Sequence, residues 1–292
     1  MLEIHNLLQS SPISLISLIA IIGLLVGSFL NVVIYRLPVM MERGWKKECM
    51  EYLEIDDDSK EESEPFNLTL PLSRCPKCQW AIKPYQNIPV ISYLFLQGKC
   101  SNCKIHISLR YPLIEAFSGL TSAIVAWHFG YTIELLFALL LTWSLIALSF
   151  IDIDHQLLPD SITLPVLWLG LFLSLFSIYT DTNSSIIGAI AGYLSLWTVF
   201  QLFKLATGKE GMGYGDFKLL ALLGAWLGWQ YLALIILLSS VVGAVIGISM
   251  IILVKKDRNT PIPFGPYLAA AGWLALIWGD KINSLYLNSI GL

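Results

Sequence analysis

Eight apolar stretches, each near the length a helix needs to cross a bilayer, leave this chain little freedom in how it folds. They run approximately 13–35, 112–130, 132–151, 163–180, 184–206, 216–230, 231–254 and 264–280. A bilayer offers no water to backbone N–H and C=O groups, so runs of about 20 apolar residues read as helices. Of the 292 residues, 56% are hydrophobic and only 13% charged, where a soluble domain carries about 25% charged residues. The expected fold is an all-α polytopic membrane protein with about eight transmembrane helices. The first stretch has no basic n-region and no Ala-x-Ala cleavage site, so it reads as a retained helix rather than a signal peptide.

Charge placement predicts the topology. With the N-terminus outside, segments 36–111, about 152–162, about 204–218 and 255–263 face the cytoplasm, and every Lys and Arg except Lys281 falls in them. Cytoplasmic loops carry the Lys/Arg excess, and the opposite orientation would invert all of it.

Only the loop after the first helix is long enough for a separate folded segment. Residues 54–64 carry seven acids against one Lys; they read as a solvated insert, with an electrostatic lure for a basic peptide as the sharper alternative. Beyond them come Cys75-x2-Cys78 and Cys100-x2-Cys103. Two such knuckles predict a four-cysteine structural zinc site, since each folds two thiolates onto one ion and the ion closes a segment too small to build a core. The topology puts these thiols in the reducing cytoplasm, which disfavours disulfides. Cys49 lies outside the pattern as an ordinary thiol. No fixed-period repeat is expected. Gly188-x3-Gly192 and Gly243-x3-Gly247 predict close helix packing.

Two carboxylates at the edges of apolar segments suggest chemistry, because an ionisable group there is costly. Asp152, Asp154 and Asp160 crowd the first edge. Asp160 can cap the following helix, Asp154 lies beyond the membrane edge, and position alone barely separates Asp152 from Asp154. Asp216 opens an apolar helix after Gly211-Met-Gly-Tyr-Gly215, a run suited to tight positive-φ turns; its bland reading is a helix N-cap. Two carboxylates meeting across a bundle can activate water, with Asp216 as the base and Asp152 as the proton donor by their helix-end positions. Competing readings are a proton or ion relay, a zinc-organised scaffold without catalysis, and an intramembrane protease for other substrates.

Taken together, the knuckles, Gly27-Ser-Phe-Leu-Asn-Val-Val-Ile-Tyr-Arg-Leu-Pro38, Arg110-Tyr-Pro-Leu-Ile-Glu115, Asp152 to Asp160, Gly208-Lys-Glu-Gly-Met-Gly-Tyr-Gly-Asp-Phe-Lys218 and Pro263-Phe-Gly-Pro266 resemble the bacterial type IV prepilin peptidases. The resemblance implies Asp152 and Asp216 as the catalytic pair of an aspartic endopeptidase. It would cut the basic leader of type IV prepilins and pseudopilins after Gly, then methylate the new amine, usually of Phe, from S-adenosylmethionine. It implies a bacterial inner-membrane location with a periplasmic N-terminus and a cytoplasmic catalytic face, and no nucleic-acid partner. The implied division is a first helix (1–36), a cytoplasmic zinc domain linked to methyl transfer (37–111) and a seven-helix peptidase domain (112–292). Gly98, Lys99, Asn31 and Arg36 are the candidates for the methyl donor, although Gln97 stands where the family pattern has Arg and no Rossmann-type glycine fingerprint is present.

Overall fold

The computed structural model describes residues 6, 8–55, 66–75, 77–253 and 262–289. Most of the acidic insert and of the 255–263 loop therefore lies outside the described residues. Among the described residues the secondary structure is helical, with two isolated β-bridges and no strand. The packing divides into two compact units, 1–139 and 140–292.

The first unit is built on α1 (Pro12–Tyr52) and α3 (Arg110–Phe129), with the one-turn α2 (Ile91–Phe95) between them. Ser11 caps α1 by accepting the Ser14 N–H, and Pro12 takes a first-turn position where its missing N–H costs nothing. This helix does not stop where hydropathy falls near residue 35. It continues through Pro38 to Tyr52 over 41 residues, because Met, Glu, Arg and Lys in 40–51 are good helix formers although most of them are polar. The two long helices run antiparallel, with Gly23 against Ser118 and Ser122 and Gly27 against Glu115. Small residues let the backbones approach, and the Ser118 hydroxyl donates to the Gly23 carbonyl at 2.7 Å.

Six helices make the second unit: α4 (Ile133–His155, entering from the first), α5 (Asp160–Ser174), α6 (Thr182–Thr207), α7 (Tyr214–Leu227), α8 (Leu232–Leu253) and α9 (Gly265–Ser289). α7 is the centre. It packs on α5, α6 and α9, and nearly all of its residues from Asp216 onward are buried. A helix apolar on all sides has to be enclosed this way. The Gly188-x3-Gly192 pair meets its prediction: Gly188 lies on the Gly224 backbone, and a Cβ on Gly192 would sit 2.7 Å from the Leu220 carbonyl. Trp226 donates its indole N–H to the Val166 carbonyl at 2.8 Å, and Ser185 donates to the Ala225 carbonyl at 2.5 Å. These bonds fix α7 against both α5 and α6.

Each of the eight apolar stretches holds one helix: α1 and α3 to α9. Among the described residues, four stretches are long and apolar enough to cross a bilayer by length and composition: 12–52, 133–155, 182–207 and 229–250. α5 and α7 are shorter than expected, at 15 and 14 residues. Pro159 and Pro165 constrain the start and middle of the first, and Gly213 and Gly228 bound the second.

Candidate functional site

Asp152 and Asp216 come together in the second unit. Asp152 lies in the last turn of α4 and Asp216 in the first turn of α7; they are 6% and 7% exposed. Their carboxylates lie within electrostatic reach of each other. The Asp152 Oδ2 accepts the backbone N–H of Gly265, the first residue of α9, at 2.9 Å. Leu158, on the α4–α5 turn, lies against both Gly215 and Gly265 and so links the two edges of the site.

Burial separates the acids that position alone could not. Asp154 is exposed while Asp152 is enclosed. Asp160 is not a cap: α5 starts from Pro159, and the Asp160 carboxylate takes both oxygens to Lys218 Nζ at 2.7 Å. Nor does Asp216 cap α7, whose N-cap is Gly213. The glycine run departs from expectation in a second way, because none of Gly211, Gly213 and Gly215 is among the positive-φ residues. Close approach is what two of them supply: added Cβ atoms would sit 2.9 Å from the Phe203 ring at Gly211 and 2.8 Å from Leu158 Cβ at Gly215.

Gly265 is a site residue that the sequence reading missed, although Pro263-Phe-Gly-Pro266 marked its place. A Cβ there would stand 2.7 Å from the Asp152 Oδ2, so the carboxylate would have to turn away from the amide that holds it. Gly265→Ala is expected to lower kcat of any reaction run by this pair by about 100-fold, the scale of an ångström-level misplacement, while KM stays near its wild-type value. Steady-state kinetics of the purified variant check this; an unchanged kcat removes Gly265 from the site.

The four cysteines form a separate constellation in the first unit. Their sulfurs all lie within 4.8 Å of one another, with Cys75 to Cys103 at 3.7 Å and Cys78 to Cys100 at 4.0 Å. A tetrahedron of Zn–S bonds of about 2.3 Å has edges of about 3.8 Å, so the donor set fits zinc. Two hairpins of the same design hold it. Cys75 N–H donates to the Trp80 carbonyl and Cys100 N–H to that of Ile105; the Gln79 and Lys104 amides return to the Cys75 and Cys100 carbonyls. Gln79 and Lys104 share φ near +57°, at 56° and 58°, and the bridges Arg74–Ala81 and Lys99–His106 close the two hairpins. Each correspondence is offset by the same interval as Cys75 and Cys100, so the two knuckles share one backbone design.

Electrostatics within the cluster ask for a cation. The Trp80 amide lowers the Cys78 thiol to about 6, and the Cys103 and Asn102 amides lower Cys100. The Ile105 amide pulls Cys103 the same way, yet burial and the three neighbouring sulfurs push it up to about 11. Four thiolates this close cannot all ionise without a positive ion between them.

The candidates for the methyl donor lie in this first unit, and three carry structural duties. Arg36 is buried and donates to the Asn67 and Pro71 carbonyls at 2.9 and 2.5 Å, with Phe66 against its guanidinium. Asn31 donates to the Tyr111 carbonyl at 3.2 Å and the Gly27 carbonyl at 3.3 Å, clamping α1 to the start of α3. Gly98 takes φ +65°, and a Cβ there would meet the Tyr93 hydroxyl. Lys99 is half-buried, at the bridge position matched by Arg74 in the first hairpin. Glu115, not singled out by the sequence, is buried and accepts the Val90 N–H at 2.8 Å, tying the turn into α2 back to α3.

Comparison with known proteins bears on both units. Residues 21–129 match the profile of the bacterial peptidase A24 N-terminal domain, and residues 139–248 that of the type IV leader peptidase family. The chain is 58% identical to a prepilin leader peptidase/N-methyltransferase of Stutzerimonas stutzeri, over 96% of each chain. It is 57% identical to one of Pseudomonas aeruginosa over 97% of each, and 44% identical to one of Legionella pneumophila over 98% of this chain and 99% of that one. No solved structure matches it.

Proposed function

The chain belongs to the type IV leader peptidase family, and from that membership we propose that it removes the leader peptide of type IV prepilins and N-methylates the terminus this exposes. It is thus a protease and a methyltransferase of the bacterial inner membrane. The observation that supports the proteolytic half is the buried carboxylate pair, Asp152 held by the Gly265 N–H and Asp216 beside it.

In the proposed reaction one carboxylate takes a proton from water as the oxygen attacks the carbonyl carbon of the leader Gly. The other, protonated, donates to the carbonyl oxygen. Collapse of the tetrahedral species breaks the C–N bond, and the departing amine takes up a proton. The two groups act as one titrating unit. Placing the Lys- and Arg-rich segments in the cytoplasm sets the N-terminus in the periplasm and the pair at the cytoplasmic face, where a leader would present its cut site. Eight crossings complete that topology.

The proposed division of labour is a first membrane helix (1–36), a segment organised by zinc on Cys75, Cys78, Cys100 and Cys103 (37–111), and a peptidase domain (112–292). Methyl transfer from S-adenosylmethionine is assigned to the zinc-bearing segment. There Lys99 is the candidate whose side chain is free of the framework duties that occupy Asn31, Arg36 and Gly98. Pseudopilins are proposed as further substrates.

Mass spectrometry of a prepilin incubated with the detergent-purified protein tests the whole reading. The expected products are a chain cut after the leader Gly and, with S-adenosylmethionine present, the same chain heavier by about 14 Da for one methyl group. An uncut prepilin overturns the peptidase assignment; a cut but never methylated one overturns the second activity.

A further inference from the structure

Beside the acidic pair, the second unit holds an open apolar cavity of about 390 Å³. One wall is α6, at Leu196; the other is α8, at Ser240, Gly243 and Ala244; Phe264 and Tyr267 close one end. The walls belong to two of the segments long and apolar enough to cross a bilayer. α8 packs chiefly on α9 and barely touches α7, so the gap between α6 and α8 is left unfilled. An occupant at that depth has to be hydrocarbon on its surface.

The cavity's lining reaches the immediate neighbours of the residues that hold the carboxylates. Phe264 is followed by Gly265, whose N–H holds Asp152. Met212, also in the lining, precedes Gly213, whose carbonyl accepts the Asp216 N–H. A lipid chain has no peptide bond to present to those carboxylates. An apolar helix with a scissile bond at its N-terminal end does, and it fills the cavity and reaches the acids at once. Resting on the peptidase reading above, we propose that this cavity receives the first apolar side chains of the mature prepilin, those just after the cut. Ser240 and Ala244, one helical turn apart on α8, then set how large those side chains can be. Gly243 has to stay small, since its Cβ would lie 3.1 Å from the Tyr267 ring.

The test enlarges the wall and shrinks the substrate. Wild-type protein and Ala244→Phe are assayed on a prepilin with Phe at the first mature position and on one with Ala there. Ala244→Phe is expected to lower kcat/KM for the Phe substrate at least about tenfold, mainly through KM, and to recover most of that loss on the Ala substrate. A variant equally poor on both overturns the proposal. A wild-type protein that cuts neither overturns the peptidase reading, and the cavity assignment with it. Photocrosslinking covers a variant that fails to fold. With a benzophenone side chain at Ser240 in an Asp216→Asn background, adducts should map to the first mature residues of the prepilin, and adducts to lipid alone would refute the assignment.

Discussion

Asp216→Asn is expected to remove leader cleavage, with kcat down by about 10³-fold or more, while membrane insertion and metal content stay at wild-type levels. Positioned acid–base groups contribute about 10²- to 10⁴-fold each, and in the proposed reaction the two carboxylates share one task. Asp152→Asn should therefore fall as far, and the double variant scarcely further, because groups that act as a unit are not additive. Asn keeps the volume of Asp, so the tight packing of α7 against α5 and α6 is preserved and a loss of folding cannot imitate the result. Single-turnover cleavage of a purified prepilin is the measurement. Retention of more than a few per cent of activity by either Asn variant would exclude the pair as the catalytic centre and return the relay reading to consideration.

Cys75→Ser is expected to empty the proposed zinc site and to release the segment that the metal would close. Structural zinc in small domains is bound with about 10–16 kcal/mol, which is also the free energy that folds them. Beyond the metal the segment has short hairpins, the Arg36 and Glu115 anchors, and few buried apolar side chains among its described residues, Cys75, Pro89 and Cys100. Elemental analysis should find zinc in the wild type and next to none in Cys75→Ser, with new proteolytic cuts between residues 66 and 109 and loss of methyl transfer. Cys49→Ser is the control: this thiol is exposed and lies on α1 away from the cluster, and its loss should change none of these. Full zinc content and unaltered protease resistance in Cys75→Ser would show that the four sulfurs do not hold a structural ion.

The helices were legible because hydropathy is a property of each segment alone, and a bilayer leaves an apolar stretch one way to satisfy its backbone. The continuation of α1 past Arg36 was not, since the signal used was apolarity and the last turns of that helix are polar. The choice between Asp152 and Asp154 depends on which way a helix faces, and no single-segment pattern carries that. Asp160 was misread as a cap because its partner, Lys218, is 58 positions away. The doubled hairpin could have been found: Arg74 and Lys99, Trp80 and Ile105, Ile82 and Ile107 keep the interval of the cysteines. The side chains between differ, and the backbone bonds are what make the likeness plain.

Hydrolysis consumes water, and a bilayer interior contains almost none. α7 has 14 residues, a length of about 21 Å at 1.5 Å per residue, against a hydrocarbon thickness of about 30 Å. Its neighbour α5, with 15 residues, is hardly longer. For α5 and α7 to complete the eight proposed crossings, the lipid has to thin or yield to solvent at their ends. Asp216 sits at one such end. In the proposed reaction that thinning would be a supply line, bringing the second substrate to carboxylates that the rest of the fold keeps enclosed.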